Sequence, residues 1–159
     1  MKHLLLISTF LLTSLIASAQ KSVIPSTIAP FRILNVADST YFTPVNLKKN
    51  KSTVLIYFAP DCDHCEQYTK AILSKINNFK NSQLVFITFA RYEPTKAYVK
   101  KFKLDKYPNI TVGTEGYTYT VQRFYRINTT PFTAIYNKSG QLIKTFAKDP
   151  KVEEVSALL

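Results

Sequence analysis

The chain has 159 residues, of which 46% are apolar and 19% charged, a globular profile of single-domain length rather than that of a disordered tail. Lys and Arg number 21 against 10 Asp and Glu, a formal charge of +11. With two Cys and two His, a disulfide-stapled miniprotein, a four-cysteine zinc site and a His-rich metal centre are excluded.

The chain opens Met1-Lys2-His3, continues apolar from Leu4 to Ile16, and reaches Ala17-Ser18-Ala19. A positive start, an apolar middle and a small-x-small end form the pattern of a signal peptide over residues 1–19. The apolar run spans 13 residues, short of the roughly 20 that cross a bilayer, although an uncleaved membrane anchor is the alternative. Cleavage lowers the charge by one. Export makes the cysteines prone to oxidation. Residues 20–30 are mostly small or polar with two prolines and read as a loose lead-in to a domain over 31–159.

Phe31 to Val36 reads as a short strand, and Asp38 to Asn50 as a loop with a short strand. Thr53 to Phe58 is a continuous apolar, β-branched and aromatic run, the pattern of a central strand buried on both faces. From Cys62 the period becomes helical, with Tyr68, Ile72 and Ile76 on one stripe ending near Asn77-Asn78. Gln83 to Ala90 is the next buried strand. Glu93-Pro94 starts a helix to about Leu104, in which Lys96, Lys100, Lys101 and Lys103 alternate with Tyr98, Val99 and Phe102. The lysines read as a solvated helix face.

Pro108 to Val112 reads as a short strand, Gly113 to Thr118 as a turn and Val121 to Tyr125 as a short helix. Phe132 to Tyr136 and Gln141 to Phe146 flank the turn Asn137-Lys138-Ser139-Gly140, a hairpin, and Val152 to Leu159 is a final amphipathic helix. The alternation implies an α/β fold: a central mixed sheet flanked by helices, with a terminal hairpin and helix.

The chemistry concentrates in Cys62-Asp63-His64-Cys65, where the buried strand hands over to a helix. Unpaired N–H groups and the macrodipole at a helix N-terminus favour a thiolate at Cys62. Cys65 lies one turn on, within reach. A dithiol so placed exchanges disulfides: Cys62 attacks, a mixed disulfide forms, and Cys65 resolves it. A structural disulfide is the bland alternative.

Phe58-Ala59-Pro60-Asp61-Cys62-Asp63-His64-Cys65, with Thr129-Thr130-Pro131-Phe132-Thr133 far downstream, resembles the thioredoxin superfamily, and its TlpA/ResA-type exported thiol–disulfide oxidoreductases most of all. The resemblance covers about residues 30 to 159. It implies a thioredoxin-like fold, Cys62 as attacking and Cys65 as buried resolving thiol, and a cis peptide at Thr130-Pro131 in the loop that binds substrate. It also implies protein dithiol or disulfide substrates, an exported or membrane redox partner, a monomer, no metal or organic cofactor and no nucleic acid. The chain departs from the family pattern at three places. Asp61 stands where many members have Trp, Ile56 where thioredoxins have a buried Asp, and Tyr68 where some cytochrome-maturation members have Glu. No family carboxylate is thus left to take the Cys65 proton; water or His64 remains. An imidazolium at His64 would make the couple more oxidising, and Asp61 and Asp63 would push the other way.

Three rival readings use the same residues. A copper carrier would use the soft sulfurs of Cys62 and Cys65 with His64. A peroxidase would need a Thr where Ala59 stands, with a cation from Arg91, Arg123 or Arg126. A non-enzymatic binding module would dock partners on the aromatic stretch Tyr117, Tyr119, Phe124 and Tyr125.

Overall fold

The structure, a computed structural model, describes residues 25–148 and 150–159. The expected signal peptide at 1–19 lies outside the described residues, as do residues 20–24 of the lead-in. No described helix is long and apolar enough to cross a membrane.

Among the described residues seven strands form one sheet: β1 Ile33–Asn35, β2 Tyr41–Phe42, β3 Ser52–Tyr57, β4 Ser82–Thr88, β5 Ile110–Thr114, β6 Phe132–Tyr136 and β7 Leu142–Ala147. Their spatial order is β2-β1-β5-β4-β3-β6-β7. β3, β4 and β5 are parallel neighbours, whereas β6 runs antiparallel to β3 and β1 antiparallel to β5. Every residue of β3 and β4 is buried, as the unbroken apolar runs require of strands covered on both faces.

Among the described residues four α-helices flank the sheet: α1 Asp63–Ser74, α2 Tyr92–Phe102, α3 Thr120–Tyr125 and α4 Val152–Ser156. Val54, Ile56 and Phe58 point to one face, where α1 supplies Cys65, Tyr68 and Ile72, α2 supplies Tyr98 and Val99, and α4 supplies Val152 and Val155. Leu55 and Tyr57 point to the other face, against Val121 and Tyr125 of α3 and against Ala29 and Phe31. This alternation is the period-two consequence of the strand pleat. The lysines of α2 are exposed, as expected for a solvated face.

Three segments differ from the sequence expectation. The helix from Cys62 ends at Ser74 and continues as a 3₁₀ turn over Ile76–Phe79. Residues 26–30 are fastened to the domain rather than loose: Leu142 N–H donates to Ser26 O at 2.9 Å and Ala29 N–H to the Tyr125 hydroxyl at 3.1 Å. Gly113 lies inside β5, paired with Asn35, rather than in a turn. A Cβ on Gly113 would sit 2.8 Å from Leu34 O and 2.9 Å from Ile33 Cδ1, so only glycine lets β1 approach this closely. Gly113→Ala is therefore expected to cost about 1–3 kcal/mol in urea unfolding, the usual range for overpacking. A loss below about 0.5 kcal/mol, the level of ordinary surface changes, would mean that β1 simply shifts outward.

Candidate functional site

The pairing of Tyr57 with Phe132 brings the chain leaving β3 beside the chain entering β6. Cys62 and Thr130 meet there. Cys62 is half-buried and is the N-cap of α1, with extended backbone (φ −104°, ψ 113°). Its Sγ accepts the Cys65 N–H at 3.2 Å, which is the role that an Asp or Ser oxygen plays at other helix starts. Thr130 Oγ1 donates to the same sulfur at 3.5 Å, and the Cys62 thiol donates to Thr130 O at 3.7 Å. The Thr130–Pro131 peptide is cis, and Pro131 is buried. Asp63 and Glu66 occupy the first turn of α1, where negative charge complements the helix dipole.

Both cysteines are free thiols. Cys65 is 1% exposed. Burial, and then the hydrogen bond with Cys62, push its thiol up to about 12, partly offset by hydrogen bonds from the Ala59 backbone and the Thr130 side chain. The Tyr98 hydroxyl donates to Cys65 O at 3.0 Å and shares a 2.7 Å hydrogen bond with Thr69 Oγ1. Phe58 packs on Tyr98 with ring centroids 4.6 Å apart. Ile56 and Tyr68, the two positions where a family carboxylate is missing, are both buried. The Tyr68 hydroxyl accepts from Thr133 Oγ1 at 3.2 Å, and burial pushes its phenol up to about 12, so it offers no base. Among the described residues, none of the groups acting on the Cys65 thiol is a carboxylate.

Asp61, Asp63 and His64 are exposed. His64 lines a groove of about 420 Å³ between α1 and the start of α4, with Gln67, Lys75 and Glu153. The sequence-derived site thus divides: Cys62, Cys65 and Thr130 share hydrogen bonds, while His64 faces the α4 side. No cluster of three or more His, Cys, Asp or Glu able to hold a metal occurs among the described residues. Two of the three arginines of the peroxidase reading have other partners, since Arg91 Nε donates to the Tyr117 hydroxyl at 3.0 Å and Arg123 donates to Thr118 O. Of the aromatic stretch, Tyr125 is core, Tyr119 and Phe124 are half-buried, and Tyr117 is 65% exposed.

Sequence reasoning missed Tyr57 and Glu115. Glu115 follows β5 and is 5% exposed. The Tyr57 hydroxyl donates to its Oε1 at 2.8 Å and Val121 N–H to its Oε2 at 2.9 Å. Burial, then the hydrogen bond and charge of Glu115, raise the Tyr57 phenol far above its ordinary range. This carboxylate ties the end of β3, just before the dithiol, to the start of α3, which leads to Thr130. A lone Glu after a strand carries no signal that it turns inward.

The geometry matches what the comparisons find. Residues 50–142 match a family model described as thioredoxin-like, and the chain belongs to that family. No curated protein matches in sequence. A thiol–disulfide oxidoreductase from Bacteroides fragilis superposes with a TM-score of 0.68 at 16% identity, over 85% of this chain and 100% of that one. A secreted disulfide oxidoreductase of Mycobacterium tuberculosis gives 0.63 at 18% identity, over 80% and 92% of the two chains. The copper-bound ScoI of Arabidopsis thaliana gives 0.64 at 19% identity, over 84% and 94%. At these identities the likeness is one of fold.

Proposed function

We propose that this protein is an exported thiol–disulfide oxidoreductase that exchanges disulfides with protein substrates through Cys62 and Cys65. One observation carries the reading: the chain's two cysteines stand at one helix start in unequal environments, Cys62 half-buried and Cys65 buried with its thiol up to about 12. An accessible attacking sulfur and a shielded resolving sulfur are what stepwise exchange requires.

In the reducing direction the Cys62 thiolate attacks a substrate disulfide. A Cys62–substrate S–S bond forms, the substrate bond breaks, and the departing sulfur takes a proton. Cys65 loses its proton and attacks Cys62 Sγ. The Cys62–Cys65 bond forms, and the second substrate thiol leaves with both electrons transferred. The Thr130-Pro131 loop, beside Cys62, holds the substrate. His64, Asp61 and Asp63 tune the couple from the exposed first turn of α1. The chain acts as a monomer, needs no metal or organic cofactor, and draws electrons from an exported or membrane redox partner. The signal-peptide pattern at 1–19 supports export to a periplasm or the cell exterior, as does a secreted structural relative.

Equilibrium titration of the dithiol in the folded protein tests this reading. A potential near roughly −270 mV marks a reductant, and one near roughly −120 mV an oxidant. A bond that resists strong dithiols in the native state would make the pair structural and end the proposal.

A further inference from the structure

The chain has four arginines, Arg32, Arg91, Arg123 and Arg126, against many lysines. All four gather at one end of the sheet. Arg91 follows β4, and Arg123 and Arg126 stand between β5 and β6. Arg32 precedes β1, whose Leu34 pairs with Thr114 at the end of β5. This is the end at which β3 delivers Cys62. Two grooves open there, on either side of the 116–119 turn. One of about 430 Å³ is lined by Arg32 and Arg91; the other, about 620 Å³, by Arg123 and Arg126. No described lysine lines either. The second groove reaches Asn128, two residues before Thr130.

The arginines are exposed, and none makes an ion pair among the described residues. Arg32 lies 3.3 Å above the Tyr41 ring, Arg91 is held by the Tyr117 hydroxyl, and Arg123 by Thr118 O. Glu115 borders the first groove, but both its oxygens are taken by Tyr57 and Val121. Three of the four guanidinium groups are thus positioned, and none of the four is ion-paired with a carboxylate among the described residues. Guanidinium forks suit bidentate capture of carboxylates, and Lys does not replace them in this. Tyr117 and Tyr119 stand between the grooves, their rings 6.3 Å apart.

We infer that these grooves select the substrate: the protein partner presents its cysteines in an acidic segment, whose Asp or Glu side chains lie in the arginine grooves while the sulfur meets Cys62. The inference rests on the oxidoreductase reading and adds the class of substrate.

The test uses the full mature protein, reduced, with peptides of one sequence that carry an internal disulfide flanked by glutamates, glutamines or lysines. Each turnover moves two electrons from the dithiol to the peptide, giving a protein disulfide and two peptide thiols, and the second-order rate is read by chromatography. The acidic peptide is expected to react about ten-fold faster than the neutral one at low salt, with the lysine peptide slowest. The advantage collapses near about 1 M salt, where the Debye length is about 3 Å. Arg123→Gln/Arg126→Gln and Arg32→Gln/Arg91→Gln each reduce the acidic-to-neutral ratio. The same ratio persists when four exposed lysines at the opposite end, Lys49, Lys80, Lys106 and Lys138, become Gln. A ratio is insensitive to partial loss of folded protein. Equal rates for all three peptides overturn the inference and leave the oxidoreductase reading standing. A preference that survives both arginine pairs but falls with the lysines overturns it in favour of net charge. No turnover of any disulfide overturns the oxidoreductase reading, and this inference with it.

Discussion

Cys65→Ser protein, reduced and mixed with an extract of oxidised exported proteins, is expected to accumulate a covalent adduct through Cys62, whereas Cys62→Ser forms none. The asymmetry follows from burial. Cys62 is half-buried and reaches Thr130 on the loop beside it, so its sulfur meets partners. Cys65 is 1% exposed, and at pH 7 a thiol near 12 is thiolate in only about one molecule in 10⁵. Since the thiolate is the nucleophile, Cys62→Ser should lower exchange by roughly three orders of magnitude or more. In Cys65→Ser the first attack proceeds and the second cannot, so the mixed disulfide persists. Adducts are read by mass on non-reducing gels. An adduct formed equally by both variants would show that Cys65 is a nucleophile in its own right, against the division of roles proposed here.

The second large effect is a pH dependence of the resolving step. In the dithiol the Cys65 thiol stands at about 12; in the mixed disulfide the contribution of the free Cys62 thiol is gone, but burial, the largest cause, still pushes the Cys65 thiol up. Below the pKa of a thiol its thiolate fraction rises ten-fold per pH unit. The rate at which Cys65 releases a ligand preloaded on Cys62 should therefore climb with a log slope near one from about pH 6 to about pH 9, with no plateau. Stopped-flow release of a chromophoric thiol from the Cys62 mixed disulfide measures it. A plateau near neutral pH would reveal a base serving Cys65. Tyr68→Glu, which puts a carboxylate at a position where some relatives carry one, should raise the neutral-pH rate and flatten the profile.

Much of this site is legible in the sequence because its signals are local. The β-branched and aromatic run from Thr53 to Phe58 reads as a covered strand, and the switch of period at Cys62 places the dithiol on a helix start. Thr130 comes into view through the family resemblance, not through any pattern of its own. What stays hidden depends on contacts between distant segments. Gly113 looks like turn punctuation, yet it is a strand residue chosen for the closeness of Leu34 O. The prolines of the lead-in signal looseness, but Ser26 and Ala29 find partners in β7 and α3. Glu115 is apolar in neither composition nor neighbourhood, and only the fold turns it toward Tyr57. The four arginines are scattered in order along the chain, and strand pairing, parallel for β4 and β5 and antiparallel for β1, collects them.

The sulfur that caps α1 also couples this protein's conformational stability to its oxidation state. In a closed thermodynamic cycle, the difference in unfolding free energy between dithiol and disulfide forms equals the difference in potential between the folded and unfolded chains, with about 1.4 kcal/mol for every 30 mV. A helix N-cap is worth about 0.5–2 kcal/mol, equivalent to roughly 10–40 mV. Whatever part of the Cys65 N–H to Cys62 Sγ bond is lost on oxidation therefore adds to the stability of the reduced form relative to the oxidised one, and makes the disulfide correspondingly readier to be given away.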